Sequence, residues 1–328
     1  MSVNRTSWQA ELAKAYRSPT ALLRALELPA ALGNSEDQLS RRFPLRVPRS
    51  FVARMRKGDP HDPLLRQVLP SLEEGIHGGN YTEDPVGDRA AQREPGLLQK
   101  YHGRVLLLAT DACAINCRYC FRRHLHGDTR AAKKHRVGRA IAHLKSHPTI
   151  REIILSGGDP LCLTDAKLAD LTAPFGELSQ LKRLRVHTRL PVVLPERVDD
   201  GLLGWLSAQP WPTALVLHVN HANEVDGQVI AALARLRAAR VTLLNQSVLL
   251  KGVNDSVPAL TELSEALFAA GVLPYYLHLL DRVQGAVHFE VPDSRARSLL
   301  KGLRSELPGY LVPRLVREAP NLPYKLPM

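Results

Sequence analysis

The texture of apolar and polar positions changes near residue 100. Upstream, residues 1–98 are rich in Pro, Arg and charge, broken by the punctuation of "EEGIHGGNYTEDPVGD", and carry only short helical patterns such as "SWQAELAKAYRS". This stretch reads as a helical and looped N-terminal extension. From Arg104 onward, apolar runs of strand length alternate with amphipathic segments, which is the pattern of βα units around a parallel sheet. The runs are "RVLLLAT" (104–110), "EIILSG" (152–157), "LKRLRVHT" (181–188), "TALVLHVN" (213–220), "VTLLNQSV" (241–248) and "LPYYLHLL" (273–280). Between the fourth and fifth, Val229, Leu233 and Leu236 recur at i, i+4 and i+7 and so share one face of a covering helix.

Six such units, at about 30 residues each, fall short of the roughly 250 residues of a closed eight-fold barrel. The pattern predicts an α/β fold: an incomplete (β/α)6 barrel over residues 99–283, after the extension of 1–98 and before a C-terminal segment, 284–328. In parallel α/β folds the loops after the strands' C-terminal ends carry the chemistry. Candidate residues are therefore sought there.

Charge adds one constraint. The 328 residues hold 44 Lys plus Arg against 32 Asp plus Glu, a net +12 that suits anionic partners or simply a solvated basic surface. With aromatics at only 5%, extensive base stacking is disfavoured, and no nucleic-acid partner is expected. The first residues lack the apolar centre of a signal peptide, and no apolar run approaches the ~18 residues of a membrane span. A cytoplasmic protein without membrane contact is the expectation.

Three of the four cysteines, Cys113, Cys117 and Cys120, fall in "DACAINCRYCFRRH", straight after the first barrel strand. Three thiolates at C-x3-C-x2-C spacing in a short loop can wrap three corners of a cubane iron–sulfur cluster and leave the fourth iron open. Arg118, Arg122 and Arg123 are expected to favour the thiolates, because a nearby cation lowers a thiol pKa. The alternative is a zinc staple with His124 as fourth ligand, which would suit a basic RNA-binding protein. Cys162, in "GGDPLCL", reads as a small packed hydrophobe. The glycines of "SGGDP" (156–160) let backbone approach a ligand without side-chain obstruction, or make an ordinary turn.

The cysteine loop in this context resembles the radical S-adenosylmethionine (SAM) enzymes. "LLLATDACAINCRYCFRRH", "IILSGGDPL", "RLPVVLPERV", "LHVNHANE", "NQSVLLKGVND" and "YYLHLLDRVQGAVHFEV", in this order, are similar to the lysine 2,3-aminomutase family over about residues 60–328. The "CRYCFRRH" form and "LVPRLVRE" are most similar to the branch that makes (R)-β-lysine for elongation factor P.

That resemblance implies a [4Fe-4S] cluster on Cys113, Cys117 and Cys120, and SAM held at its amino end by Gly157, Gly158 and Asp159, with His218 and Gln246 near its adenosyl part. It implies Lys325 as the catalytic lysine that carries pyridoxal 5′-phosphate, whose phosphate falls to Lys100 and Arg104. Such an amine must lose its proton to attack, which apolar walls and nearby cations promote. Arg122 becomes the clamp on the substrate carboxylate, and Asp281 with Glu318 the recognition of a distal ammonium. The implied reaction is a 2,3-migration of the amino group of L-lysine, needing a reducing electron donor and linked to elongation factor P and its β-lysine ligase. The same machinery could act on another amino acid, such as glutamate or arginine, or serve general metabolism.

Overall fold

The structure is a computed structural model that describes residues 7–33, 43–76, 78–124, 136–320 and 322–328. Among these residues, ten strands form one sheet in sequence order: β1 (Gln92–Glu94), β2 (Leu97–Leu98), β3 (Arg104–Thr110), β4 (Glu152–Gly157), β5 (Arg183–Thr188), β6 (Thr213–Leu217), β7 (Thr242–Val248), β8 (Leu273–His278), β9 (Arg314–Arg317) and β10 (Leu326–Pro327). Strands β3 to β9 run parallel. At the edges, β2 pairs antiparallel with β3, and β10 antiparallel with β9. The chain is thus α/β, and its six apolar runs become β3 to β8.

Helices Arg136–Ser146, Asp165–Thr172, Asp200–Ser207, Gly227–Ala238, Val257–Ala269 and Asp293–Glu306 follow the strands. Four begin at a polar cap: the side chains of Thr164, Asp199, Asp226 and Ser256 each accept a backbone N–H three residues on. A cap of this kind contributes about 1 kcal/mol. Val229, Leu233 and Leu236 are fully buried, as their spacing requires. They share one apolar cluster with Leu155, Val186 and Leu215 of the strands and with Trp8, Phe51 and Leu64 of the N-terminal region. The N-terminal residues therefore pack into the main core.

Strand periodicity also marks an inner face. In β5 the buried Leu184, Val186 and Thr188 alternate with half-buried Arg185 and His187, and in β7 Leu243, Asn245 and Ser247 alternate with Leu244 and Gln246. Since successive side chains point to opposite faces, one face of the sheet packs on helices. The other presents Arg185, His187 and Gln246 to an internal cavity.

The cysteine loop after β3 is fastened from outside and inside. Arg46 donates to the Cys113 carbonyl at 2.8 Å, and the Asn116 and Arg118 amides donate to the carbonyls of Arg46 and Gln67. Glu74, fully buried, receives Arg118 through both carboxylate oxygens and Arg123 through one. From the other side, the loop after β4 presses backbone on backbone: Gly158 N–H donates to the Thr110 carbonyl at 2.6 Å and Asp159 N–H to that of Ala112 at 2.8 Å. A Cβ on Gly158 would lie 2.3 Å from the Ala112 oxygen, and one on Gly157, at φ +124°, 2.4 Å from that of Thr110. The paired glycines are there for this loop-to-loop approach.

Replacement of Gly158 by Ala should therefore cost about 1–3 kcal/mol, as overpacking against an unyielding backbone does. Gly204 lies in a helix, where an added Cβ would meet nothing within 4 Å, and Gly204→Ala should instead gain up to about 1 kcal/mol. Urea unfolding of the two variants checks the opposite signs; equal effects would contradict the packing assigned to Gly158.

Candidate functional site

A cavity of about 390 Å³ lies inside the curve of the sheet and at the strand ends. It is lined by Cys113, Cys117 and Cys120, by Gly157, Gly158 and Asp159, by His218 and Gln246, and by Lys100, Arg104, Arg122, Asp281, Glu318 and Lys325. The cluster, cofactor and substrate residues singled out in the sequence all reach this one space. None of them is remote.

At one end stand the three thiols, none in a disulfide and each half-buried. Burial pushes the Cys113 thiol well up, and burial with neighbouring Cys117 takes Cys120 to about 11. Arg122 and Arg123 pull Cys120 toward the thiolate, the direction expected from the sequence. Arg118 and Arg123 are directed at Glu74, and the pull of Arg122 and Arg123 on Cys120 is outweighed by desolvation. His124, the fourth ligand of the zinc alternative, has its Nε2 3.1 Å from the Gln284 carbonyl and does not line the cavity. Cys162 packs against the apolar core, also outside the lining. Among the described residues no three His, Cys, Asp or Glu side chains converge on a single ion. Three thiols opening on one space, with no fourth ligand grouped with them among the described residues, fit an iron–sulfur cluster with one iron left to another ligand.

Beyond the thiols, Asp159 lines the cavity with its carboxylate engaged within the protein. Its Oδ1 accepts from Leu161 N and Thr188 Oγ1, and its Oδ2 from the amides of Arg189 and Leu190, at 2.7–3.1 Å. The side chain locks the loop after β5 to the loop after β4, leaving backbone and glycines to meet a ligand. Gln246 Nε2 lies 3.1 Å from His218 Nε2, and burial holds His218 down at about 3, so the ring is neutral. His187, whose ring lies 6.1 Å from that of His218, and His278 are likewise kept neutral by burial. Among the described residues, the buried Nε2 atoms of His187 and His278 lack hydrogen-bond partners. Buried polar atoms are rarely left so, and a polar ligand in the cavity would satisfy them. Neither ring stands out in the sequence, although the alternation of "RLRVHT" already puts His187 and Arg185 on one face.

A further part of the lining is ionic. Because β10 pairs antiparallel with β9 through Leu326↔Arg317, the residues just outside that pairing, Lys325 and Glu318, face each other. Their side chains form an ion pair. Glu318 also meets Lys100 at 3.4 Å; Lys100 meets Asp88 at 2.7 Å; Asp88 meets Arg122 at 2.8 Å; and Arg122 donates to Ser156 Oγ at 2.9 Å. A continuous ladder of alternating charge thus joins Lys325 to Arg122. Burial would raise Glu318, but Lys325 and Lys100 outweigh it and hold the carboxyl at about 2. Asp281 has the reverse fate: burial, and then the charge of Glu318, push it up to about 7. Arg104 stacks 4.5 Å over the ring of Tyr101. A lysine amine with two further cations, Lys100 and Arg104, in the same cavity fits a phosphorylated aldehyde cofactor. Asp88, at the centre of the ladder, does not stand out in the sequence because "VGDRAA" looks like an ordinary helix start.

Metal uptake requires the thiols to lose their protons, and burial raises Cys113 and Cys120. Iron and sulfide loading in a fixed time should then fall as the pH is lowered from about 8.5 to about 7, by elemental analysis. Loading that does not vary over this range would contradict the buried-thiol assignment.

Comparison with known proteins bears on this geometry. The family pattern described as the Radical SAM superfamily matches residues 107–201, from β3 through the cysteine loop and β5 to the start of the helix Asp200–Ser207. The L-lysine 2,3-aminomutase of Escherichia coli (strain K12) is 46% identical, over 99% of this chain and 95% of that one. That of Haemophilus influenzae is 44% identical, over 97% and 94%. The Clostridium subterminale protein of the same name is 36% identical, over 85% of this chain and 67% of that one. With that identity over nearly the full length, this chain belongs to the L-lysine 2,3-aminomutase family of radical SAM isomerases.

Proposed function

We propose that the protein is a lysine 2,3-aminomutase that converts L-α-lysine to β-lysine with a [4Fe-4S] cluster, SAM and pyridoxal 5′-phosphate, the product being (R)-β-lysine for modification of elongation factor P. The observation that carries the reading is that one cavity is lined both by the three thiols and by Lys325, Glu318 and Asp281. When bound, the reduced cluster with SAM would supply radical chemistry at carbon 3 of the substrate, and the aldehyde group of pyridoxal phosphate would carry the migrating nitrogen.

The chain's own residues bind and orient. Cys113, Cys117 and Cys120 hold the cluster, and Gly157 and Gly158 give a backbone edge for the methionine end of SAM, with Asp159 fixing that edge. His218 and Gln246 offer neutral hydrogen-bonding groups further along the cavity. Lys325 carries the pyridoxal group, and Lys100 and Arg104 face its phosphate. Arg122, now between Asp88 and Ser156, presents its guanidinium fork to the substrate carboxylate. Asp281 and Glu318 receive the distal ammonium, and the span from Arg122 to this acid pair selects a dibasic amino acid of lysine length. Such clamping aligns carbon 3 with the radical source.

The accompanying fold reading is an incomplete (β/α)6 barrel over residues 99–283 built on β3 to β8, supported by their parallel order. Residues 1–98 form the N-terminal extension, and residues 284–328 carry β9, β10 and Lys325 to the site. A cytoplasmic setting with a small-molecule reductant or reducing protein as electron donor suits this chemistry, and no helix among the described residues is long and apolar enough to cross a membrane. The branch assignment to elongation factor P and its ligase rests on the "CRYCFRRH" and "LVPRLVRE" forms.

Anaerobic protein loaded with cluster and pyridoxal phosphate, given reductant, SAM and L-lysine, should form β-lysine of R configuration, with glutamate and arginine turned over poorly; no β-lysine from fully loaded protein would overturn the proposal. Asp281→Asn should lower kcat/KM for lysine about ten- to hundredfold, as loss of a charged contact does, with pyridoxal loading unchanged. Asp281 near 7 also gives a sign: its carboxylate, and so ammonium binding, grows as pH rises through that value. For the parent enzyme kcat/KM should climb between about pH 6 and about pH 8, and Asp281→Asn should remove that limb.

A further inference from the structure

Beside the cysteine loop, Arg189 lines the cavity wall and anchors a buried polar network to which the reading above assigns no role. Its centre is Arg189, the first residue after β5, whose amide is held by Asp159 at 2.7 Å. The guanidinium is buried near the rings of Phe51, at 5.2 Å, and Tyr119, at 5.9 Å. One nitrogen, NH1, approaches Cys117 Sγ at 2.8 Å, and the other, NH2, donates to Gln67 Oε1 at 2.7 Å and Glu224 Oε2 at 2.9 Å. Glu224 is fully buried, and its Oε1 accepts from Gln67 Nε2 and the amides of Asn220 and His221 at 3.0–3.2 Å. Neither charge has freedom to turn away.

An ion pair buried this deeply seldom stabilises a fold more than apolar side chains of the same volume would. Its position against one cluster thiol calls for a chemical reason. We propose that Arg189 is a positioning residue that sets the reduction potential of the iron–sulfur cluster, by donating an N–H to the Cys117 sulfur while Glu224 offsets most of its charge. This rests on the reading that Cys113, Cys117 and Cys120 hold that cluster.

The physics is direct. Hydrogen bonds to cluster sulfurs and net charge nearby both set the potential. A donor with a positive charge beside Cys117 favours the cluster that has gained an electron. Glu224, one guanidinium further from the sulfur, opposes that bias without breaking the hydrogen bond. The pair is thus oriented with its positive end on the sulfur, and removing either half has an opposite, readable effect.

The experiment uses the full-length protein reconstituted anaerobically with iron and sulfide, and reads the midpoint potential of the cluster by electron paramagnetic resonance at poised potentials, without substrate. Glu224→Gln keeps the shape and the Arg189–Cys117 contact but removes the offsetting charge, so the midpoint should rise. Arg189→Gln with Glu224→Gln removes both halves of the pair together, and with them the cationic donor, while Arg54 keeps Asp226 as its counter-charge, so the midpoint should fall below that of the parent. Each shift should correspond to at least about a tenfold change in the reduction equilibrium, which is 59 mV for one electron. Arg189→Lys, which keeps the charge, should lie nearer the parent than the double variant does. Parent-like midpoints in Glu224→Gln and the double variant, with iron and sulfide content intact, would overturn the proposal and leave the cluster reading standing. A parent protein that binds no cluster would overturn both.

Discussion

Among the described residues the two edges of the sheet do not pair with each other, and what joins them across the cavity is charge. β10 and Glu318 belong to one edge, while Asp88 and Lys100 lie in the approach to β3 at the other. The contacts of Lys100 with Glu318 and Asp88, continued by Lys325 and Arg122, bring groups from the two edges together. A seam of ladder hydrogen bonds would be fixed, whereas a seam of side-chain ions can exchange partners with a zwitterionic, dibasic ligand. On the proposed function, structural closure and ligand recognition draw on the same groups. Low dielectric strengthens each of these contacts, and the divergent fates of Asp281 and Glu318, about 7 and about 2, follow from which of them the lysines face.

Charge is also managed away from the seam. The chain carries +12, yet several arginines face inward: Arg118, Arg123, Arg189 and Arg197 are all buried, each beside a carboxylate. Arg118 and Arg123 share Glu74 and bind the cysteine loop to the N-terminal region. A basic composition is here partly an internal fastening of the loop that carries the thiols, which weakens the case for a basic surface made for nucleic acid.

Much of the architecture was legible because periodicity speaks for long apolar runs. The six parallel strands β3 to β8 and the helix of Val229, Leu233 and Leu236 could be read from patterns of two and of 3.6. β9 and β10 could not, since strands of four and two residues carry too little pattern, and their pairing depends on the rest of the sheet being in place. The residues lining the cavity were legible from their places after strands and from family resemblance. Asp88, Glu74, Arg189 and Glu224 were not, because each owes its setting to a partner tens to more than a hundred positions away. Asp159 shows the intermediate case: its place in "SGGDP" marked it, while the use of all its acceptor capacity within the protein emerged only from three-dimensional contacts.

The account depends most on Lys325, which a two-residue strand holds opposite Glu318 at the end of the chain. Incubating the protein with pyridoxal 5′-phosphate, reducing with borohydride and mapping the peptides by mass spectrometry tests it most directly. The account requires the pyridoxyl label on Lys325, with loss of labelling in Lys325→Ala; stoichiometric label on any other lysine would contradict it.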